Sequence, residues 1–209
     1  MRPWRATTAL LLALPGLALT ADREWRFRVY LDDKEIGYHA FELSEIDQRR
    51  RIEIEAQFEY KLLFVKLFEY SHRNTEIWSG DCLSRIEATT EANGNPLRVR
   101  GGLADDTFVV EGTTGRTELP ACVMTFAYWN PDFLRQRQLL DPQTGELLEI
   151  EVSAPERVEI EVRGAKQAAW RYRLEVQNLG IELWYSAQRE WLALEAEAVG
   201  GRKLRYELI

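Results

Sequence analysis

The run from Ile52 to Tyr60 constrains the fold of this chain more than any other feature. Ile52, Ile54, Ala56, Phe58 and Tyr60 alternate with Glu53, Glu55, Gln57 and Glu59. Successive side chains of a strand point to opposite faces, so this run reads as a strand with one buried and one solvated face. The same period returns along the chain. Trp25, Phe27, Val29 and Leu31 alternate with Arg26, Arg28 and Tyr30. Val158, Ile160 and Val162, then Trp170, Tyr172, Leu174 and Val176, then Leu204, Tyr206 and Leu208 repeat it. Asn93-Gly94, Thr114-Gly115, Asn178-Leu179-Gly180 and Gly200-Gly201 fall between such runs, and glycine there accepts the positive φ of hairpin turns. Turns this short predict an antiparallel meander of about ten or eleven strands, because parallel βαβ units need long helical crossovers.

Two stretches depart from the pattern. Asn130 is a good N-cap, Pro131 suits a first helical turn, and Phe133, Leu134 and Leu140 form one apolar side, which predicts a short helix over 130–140. Leu62 to Phe68 is apolar on both faces and reads as a strand or bent connection, with a short helix or lid as the alternative. An antiparallel sheet with one apolar face must cover that face. A lone helix in an otherwise all-β chain favours a barrel, or a curved half-barrel wrapped around the helix. The aromatic inner positions fit either a solid core or a lined cavity.

The N-terminus fixes the expected compartment. Arg2 and Arg5 precede an apolar run from Ala9 to Leu19, and Leu19-Thr20-Ala21 closes the segment. That is the layout of a secretory signal peptide over 1–21, too short for a membrane span of ~20 residues. Cleavage near Ala21 leaves roughly 188 of the 209 residues, enough for a single β-domain over 22–209 with its own core. The expected location is periplasmic or secreted, with no transmembrane anchor after cleavage. The formal charge of −7 falls to about −9 once Arg2 and Arg5 are removed, a poor match for nucleic acid, where phosphate neutralisation carries affinity. Arg49-Arg50-Arg51 lies between strand-like segments and reads as a solvated hairpin. Export also changes the reading of Cys82 and Cys122, the two cysteines present. In an oxidising compartment they are expected to form a structural disulfide.

Several stretches of the mature chain resemble a family of uncharacterised exported proteobacterial proteins, a domain of unknown function. They are the opening from Trp25 to Phe41, Tyr70-x-His72 with Glu76-x-Trp78, Cys82-Leu83, the run from Cys122 to Pro131, Leu139 to Gly145, and Leu183-Trp184-Tyr185-Ser186. The resemblance implies no activity. More loosely, the plan is similar to periplasmic half-barrels that carry lipoproteins or other lipids, and this likeness bears on function only by analogy.

Chemistry-bearing residues are sparse. His39 and His72 are the two histidines, so a three-histidine metal site is excluded within one chain, and no metal or cofactor is expected. Tyr70, His72, Asn74, Glu76 and Trp78 share one strand face. That row is the best candidate for a ligand contact, or for a hydrolase-type base oriented by its carboxylate neighbour. The structural reading of the row, a solvent-facing strip or a satisfied hydrogen-bonded pair, has the stronger claim. His39 shares a face with Phe41 and Leu43 and reads as a packed or hydrogen-bonded core histidine. No Gly-x-Ser-x-Gly elbow and no phosphate-binding loop is present, so no catalytic residue is nominated and the protein is read as a non-enzyme. Tyr128 and Trp129 precede the expected helix and are candidates to line a ligand path. The expected function is therefore binding of a lipid or other hydrophobic molecule in a β half-barrel. The alternative is a structural or protein-interaction domain with an envelope partner.

Overall fold

The alternating runs become strands in the computed structural model, which describes residues 23–46, 48–62, 65–198 and 200–209. The expected leader over 1–21 lies outside the described residues. The first half of the chain supplies β1 (Arg23–Leu31), β2 (Lys34–Ile46), β3 (Arg49–Leu62), β4 (Val65–Ser79) and β5 (Cys82–Ala92), then β6 (Asn95–Ala104), β7 (Thr107–Gly112) and β8 (Gly115–Pro120). The second half supplies β9 (Gln138–Leu140), β10 (Leu147–Val152), β11 (Glu156–Val162), β12 (Ala165–Val176), β13 (Leu179–Tyr185), β14 (Trp191–Ala198) and β15 (Arg202–Leu208).

The fifteen strands of the described residues belong to one antiparallel sheet, with fourteen in the order β8-β7-β6-β5-β4-β3-β2-β1-β15-β14-β13-β12-β10-β9 and β11 paired to β12 off this path. The pairing of β1 with β15, in which Val29 faces Tyr206 and Leu31 faces Leu204, joins the two halves. β12 pairs first with β11 and then with β10. Ser153 spans the break between those two partners, donating its N–H to the Arg173 carbonyl at 2.8 Å and accepting the Arg173 N–H on Oγ at 3.0 Å.

Two expectations need correction. Fifteen strands replace the ten or eleven anticipated, because period-two patterning marks only strands with one buried face. β8 is exposed at five of its six positions and β9 is three residues long, so neither carries such a signature. The helix anticipated over 130–140 is a single 3-10 turn, Pro131–Arg135. Its start is as read: Asn130 Oδ1 accepts the Asp132 N–H, and proline occupies the first turn. The turn then gives way to extended backbone at Gln136, and Leu139 and Leu140 are buried as part of β9, not as a helix face. The apolar stretch Leu62–Phe68 resolves into the end of β3 and the start of β4, with 63–64 outside the described residues. Among the described residues no helix is long and apolar enough to cross a membrane.

The sheet curls but is not closed by hydrogen bonds between β8 and β9. Residues 121–137 run across the gap as a strap. The Leu83 N–H donates to the Val123 carbonyl at 3.0 Å, and the Leu140 N–H donates to the Met124 carbonyl at 2.8 Å. A disulfide between Cys82 and Cys122 fixes the strap's first residues to β5, the pairing expected from the sequence. Trp25, Phe27, Phe41, Trp78, Phe108, Phe133 and Trp191 are fully buried around the strap, each contributing roughly 1.5–3 kcal/mol of apolar burial.

The β7–β8 hairpin meets the turn after β9 at close range. The Thr113 N–H donates to the Thr144 carbonyl at 2.8 Å, and a Cβ on Gly112 would lie 2.1 Å from that same oxygen. Gly112 is held in the β7–β8 ladder and Thr144 in a turn closed by the Gly145 N–H to the Asp141 carbonyl at 2.9 Å, so Gly112→Ala is expected to destabilise the fold by about 2 kcal/mol. Chemical denaturation of the variant checks this, and an unchanged midpoint would mean that the hairpin is not held at this contact.

Candidate functional site

The inward residues of the sheet fall into two groups along the strand axes. At the end holding Trp25, Trp78 and Trp191, the strap fills the concave face with Met124, Ala127, Trp129 and Phe133. At the other end, where β1, β3, β12 and β14 finish, the same curvature encloses a cavity of about 740 Å³. Its wall is mostly apolar and aromatic, with Phe58, Phe68, Ile181, Leu194 and Leu204 among its members. Leu67 and Leu179 lie at its mouth with 53% and 38% of their surface exposed.

β4 supplies much of the polar part of this wall, beside His39, Asp141, Gln143, Gln177 and Arg202. Its inward row runs Phe68, Tyr70, His72, Asn74 and Glu76, all lining the cavity, and ends on Trp78 in the packed half. Tyr70 stacks on Phe58 with ring centroids 5.2 Å apart, and burial pushes its phenol pKa well above the ordinary value. His72 is buried and shares a hydrogen bond with Thr90 Oγ1 through Nδ1 at 2.8 Å. Burial also holds its imidazole neutral, lowering its pKa to about 4. Glu76 is fully buried and accepts from Asn74 Nδ2 at 2.8 Å, Trp78 Nε1 at 2.9 Å and Thr125 Oγ1 at 3.2 Å. Loss of hydration raises the pKa of the Glu76 carboxyl, and the three donors oppose that rise. Thr125 belongs to the strap, so the Glu76 carboxyl ties the strap to β4.

His72, Asn74, Glu76 and Trp78 are buried and Tyr70 is half-buried, contrary to a solvent-facing strip. His72 and Glu76 line one cavity yet bond to different partners. Four residues apart on a strand, their Cα atoms are separated by roughly 13 Å, so they do not form the base–carboxylate pair that a hydrolase-type reading needs. Tyr128 lines the cavity; its ring lies 5.2 Å from that of Trp191, and its carbonyl accepts from Tyr185 Oη at 2.8 Å. Trp129 does not line the cavity. It packs edge-on against Trp78 with centroids 5.5 Å apart, and the Arg50 guanidinium lies over its ring. Trp78 and Trp129 are thus core anchors, as is Trp191. Trp184 is buried in a small separate cluster with Val162, Ala169 and Leu192.

His39 packs as read from the sequence, and it also lines the cavity, which the sequence did not indicate. His39 pairs across the sheet with Ala56, which pairs with His72. The small alanine between them leaves the two imidazoles close enough for charge on His72 to disfavour charge on His39. Burial is the larger cause, and together they lower the His39 pKa to about 3. His39 lines the cavity against Phe41 and Tyr206, and its Nδ1 lies 3.4 Å from Tyr206 Oη. The signal that could have found it is the register of β2, β3 and β4, which places both histidines in one cross-strand row. Among the described residues no cluster of three or more His, Cys, Asp or Glu side chains could hold a metal ion.

No curated protein matches the sequence. Among solved structures, the chain is similar to a β-barrel-like protein of a domain of unknown function (DUF1849) from Brucella abortus. The TM-score is 0.63 and the identity 11%, with 91% of this chain and 96% of that chain covered. At that identity the likeness is one of fold. A family model matches residues 27–209, from the middle of β1 to the last residue, and so takes in the sheet, the strap and every cavity residue. By that match the chain belongs to the family described as a domain of unknown function (DUF6134).

Proposed function

We propose that this protein is an exported binding or carrier protein that holds a lipid or another hydrophobic molecule in the open end of its half-barrel. The cavity carries this reading. Protein interiors pack as densely as organic crystals, and one end of this fold does so, while the other keeps about 740 Å³ behind an apolar wall. Ligand sites typically occupy about 300–1,000 Å³ and are lined in this way, with a few placed polar groups. Export is supported by the leader-like N-terminus and by the Cys82–Cys122 bond, since disulfides persist in oxidising compartments.

Native mass spectrometry of the protein purified gently from a periplasm, followed by solvent extraction, tests the reading. A lipid or other apolar molecule is expected in a defined ratio. Ala196 lines the cavity, and Ala196→Trp is expected to abolish the bound mass while leaving the unfolding midpoint near that of the wild type. A clean apo mass, repeated after incubation with envelope lipids, overturns the carrier reading. It would favour a structural or interaction role with an envelope protein. The observation behind that second reading is the edge strand β8, whose free side can accept a partner strand.

A further inference from the structure

Most apolar pockets keep their polar groups at the mouth, where water solvates them. Here polar groups lie at the deep end as well as at the mouth, where Gln177 and Arg202 are found. From the mouth inward, the β4 row passes from Phe68 and Tyr70 to His72, Asn74 and Glu76. Two of the deeper polar groups have atoms with no partner: Nε2 of His39 and Oδ1 of Asn74 are both buried without a hydrogen bond. Asn74 is itself only 3% exposed and spends its amide nitrogen on Glu76. His72 uses Nδ1 on Thr90, which leaves Nε2 as the nitrogen free to meet a ligand. Buried polar atoms are nearly always satisfied, and exceptions call for an explanation. His39, His72 and Asn74 all line this one cavity and each keeps hydrogen-bonding capacity that the protein does not use, which points to a missing partner.

We propose that the deep end of the cavity is a subsite for an uncharged hydrogen-bonding group, so that the ligand is an amphiphile entering polar end first. This rests on the carrier reading above and specifies the ligand's chemistry. A hydroxyl is the simplest such group, because it both donates and accepts and can satisfy an amide oxygen and an imidazole together. Its hydrocarbon would lie outward against Phe58, Phe68 and Tyr70. The charge pattern argues against an ionised head at this depth. Among the described residues the one lysine or arginine lining the cavity is Arg202, which sits at the mouth and is engaged by Asp32 at 2.8 Å. Both oxygens of Glu76 are taken by protein donors. Both imidazoles are held neutral by burial.

The test is displacement of a neutral fluorescent probe from the disulfide-bonded protein by dodecane, 1-dodecanol and dodecanoate. In a purely apolar cavity the alcohol binds more weakly than the alkane, because its hydroxyl loses hydration without replacement. With a polar floor, 1-dodecanol is expected to bind about tenfold more tightly than dodecane. His39→Phe keeps a ring against Phe41 and Phe58 and is expected to bring the ratio of 1-dodecanol to dodecane affinity from about tenfold down to about one. In the wild-type protein, 1-dodecanol should also shift the His39 imidazole ¹⁵N resonance, a readout that does not depend on a variant folding. Dodecane binding as tightly as the alcohol overturns the polar subsite and leaves the carrier reading standing. Dodecanoate binding most tightly, with no response to His39→Phe, also overturns it by placing the head at the mouth. Failure of all three ligands to displace the probe overturns the carrier reading and this proposal with it.

Discussion

Replacing both Cys82 and Cys122 by alanine is expected to lower the unfolding free energy by about 4 kcal/mol and the melting temperature by roughly 10 °C. The bond closes a sequence separation of 40 residues, and the entropy it removes from the unfolded chain grows with the logarithm of that loop. Its position adds a local effect. The bond sits at the first residues of the strap, beside the Leu83–Val123 hydrogen bond. The strap carries Met124, Trp129 and Phe133 into the core, and Phe126 and Tyr128 into the cavity wall. If the cavity holds a ligand as proposed, loss of the bond is expected to weaken its uptake as well as stability. Denaturant titration at constant slope gives the free-energy change. A double variant within about 1 kcal/mol of the wild type would show that the strap is held by packing alone, below what the loop entropy requires.

Acidification is the second large effect expected. The folded pKa values of His39 and His72, about 3 and about 4, lie below the ordinary 6.5. The unfolded chain therefore binds protons that the folded chain refuses. Stability is intact above about pH 6.5 and is lost as pH falls, by about 1.4 kcal/mol per unit for each histidine. The loss ends near the folded values. Between pH 6.5 and about pH 4.5 the two histidines together cost on the order of 5 kcal/mol. The groups facing them offer little relief: His39 meets Phe41, Phe58 and Tyr206, and His72 meets Tyr70 and Thr90. Glu76 acts in the opposite sense. Its raised folded pKa means that the fold binds the extra proton, so acidification toward 4.5 returns part of the loss. Urea denaturation at about pH 7 and about pH 5, with Glu76→Gln removing the opposing contribution, isolates the histidines. A His39→Phe/His72→Phe variant should lose most of the pH dependence. If its slope equals that of the wild type, surface carboxylates and not these imidazoles govern acid unfolding.

Legibility of the fold from sequence followed the degree of one-sided burial. β3 could be read residue by residue, because polar and apolar side chains alternate without a fault from Ile52 to Tyr60, and the inward row of β4 followed from the same two-residue period. β6, β7 and β8 could not, since few of their residues are buried. The strap misled for a different reason. Asn130 and Pro131 do cap a turn, but apolar residues at 133, 134 and 140 fit a helix face as well as a 3-10 turn followed by a short buried strand. Local signals start an element; the length it reaches depends on what packs against it.

The candidate site divides in the same way. Sequence alone put Tyr70, His72, Glu76 and Trp78 on one face of one strand, because the two-residue period of a strand leaves no other arrangement. Cysteine usage and the leader-like N-terminus likewise pointed to the single covalent link. Sequence could not say that the row turns inward, that Trp78 and Trp129 fill the packed end while Tyr70 and Tyr128 line the hollow one, or that His39 joins His72 across Ala56. Those outcomes depend on strand register, sheet curvature and the reach of the strap. An inward aromatic has the same alternation whether its neighbours across the concave face fill the space or leave it empty, so packed core and cavity become distinct only once the sheet has curled and the strap has stopped short of its open end.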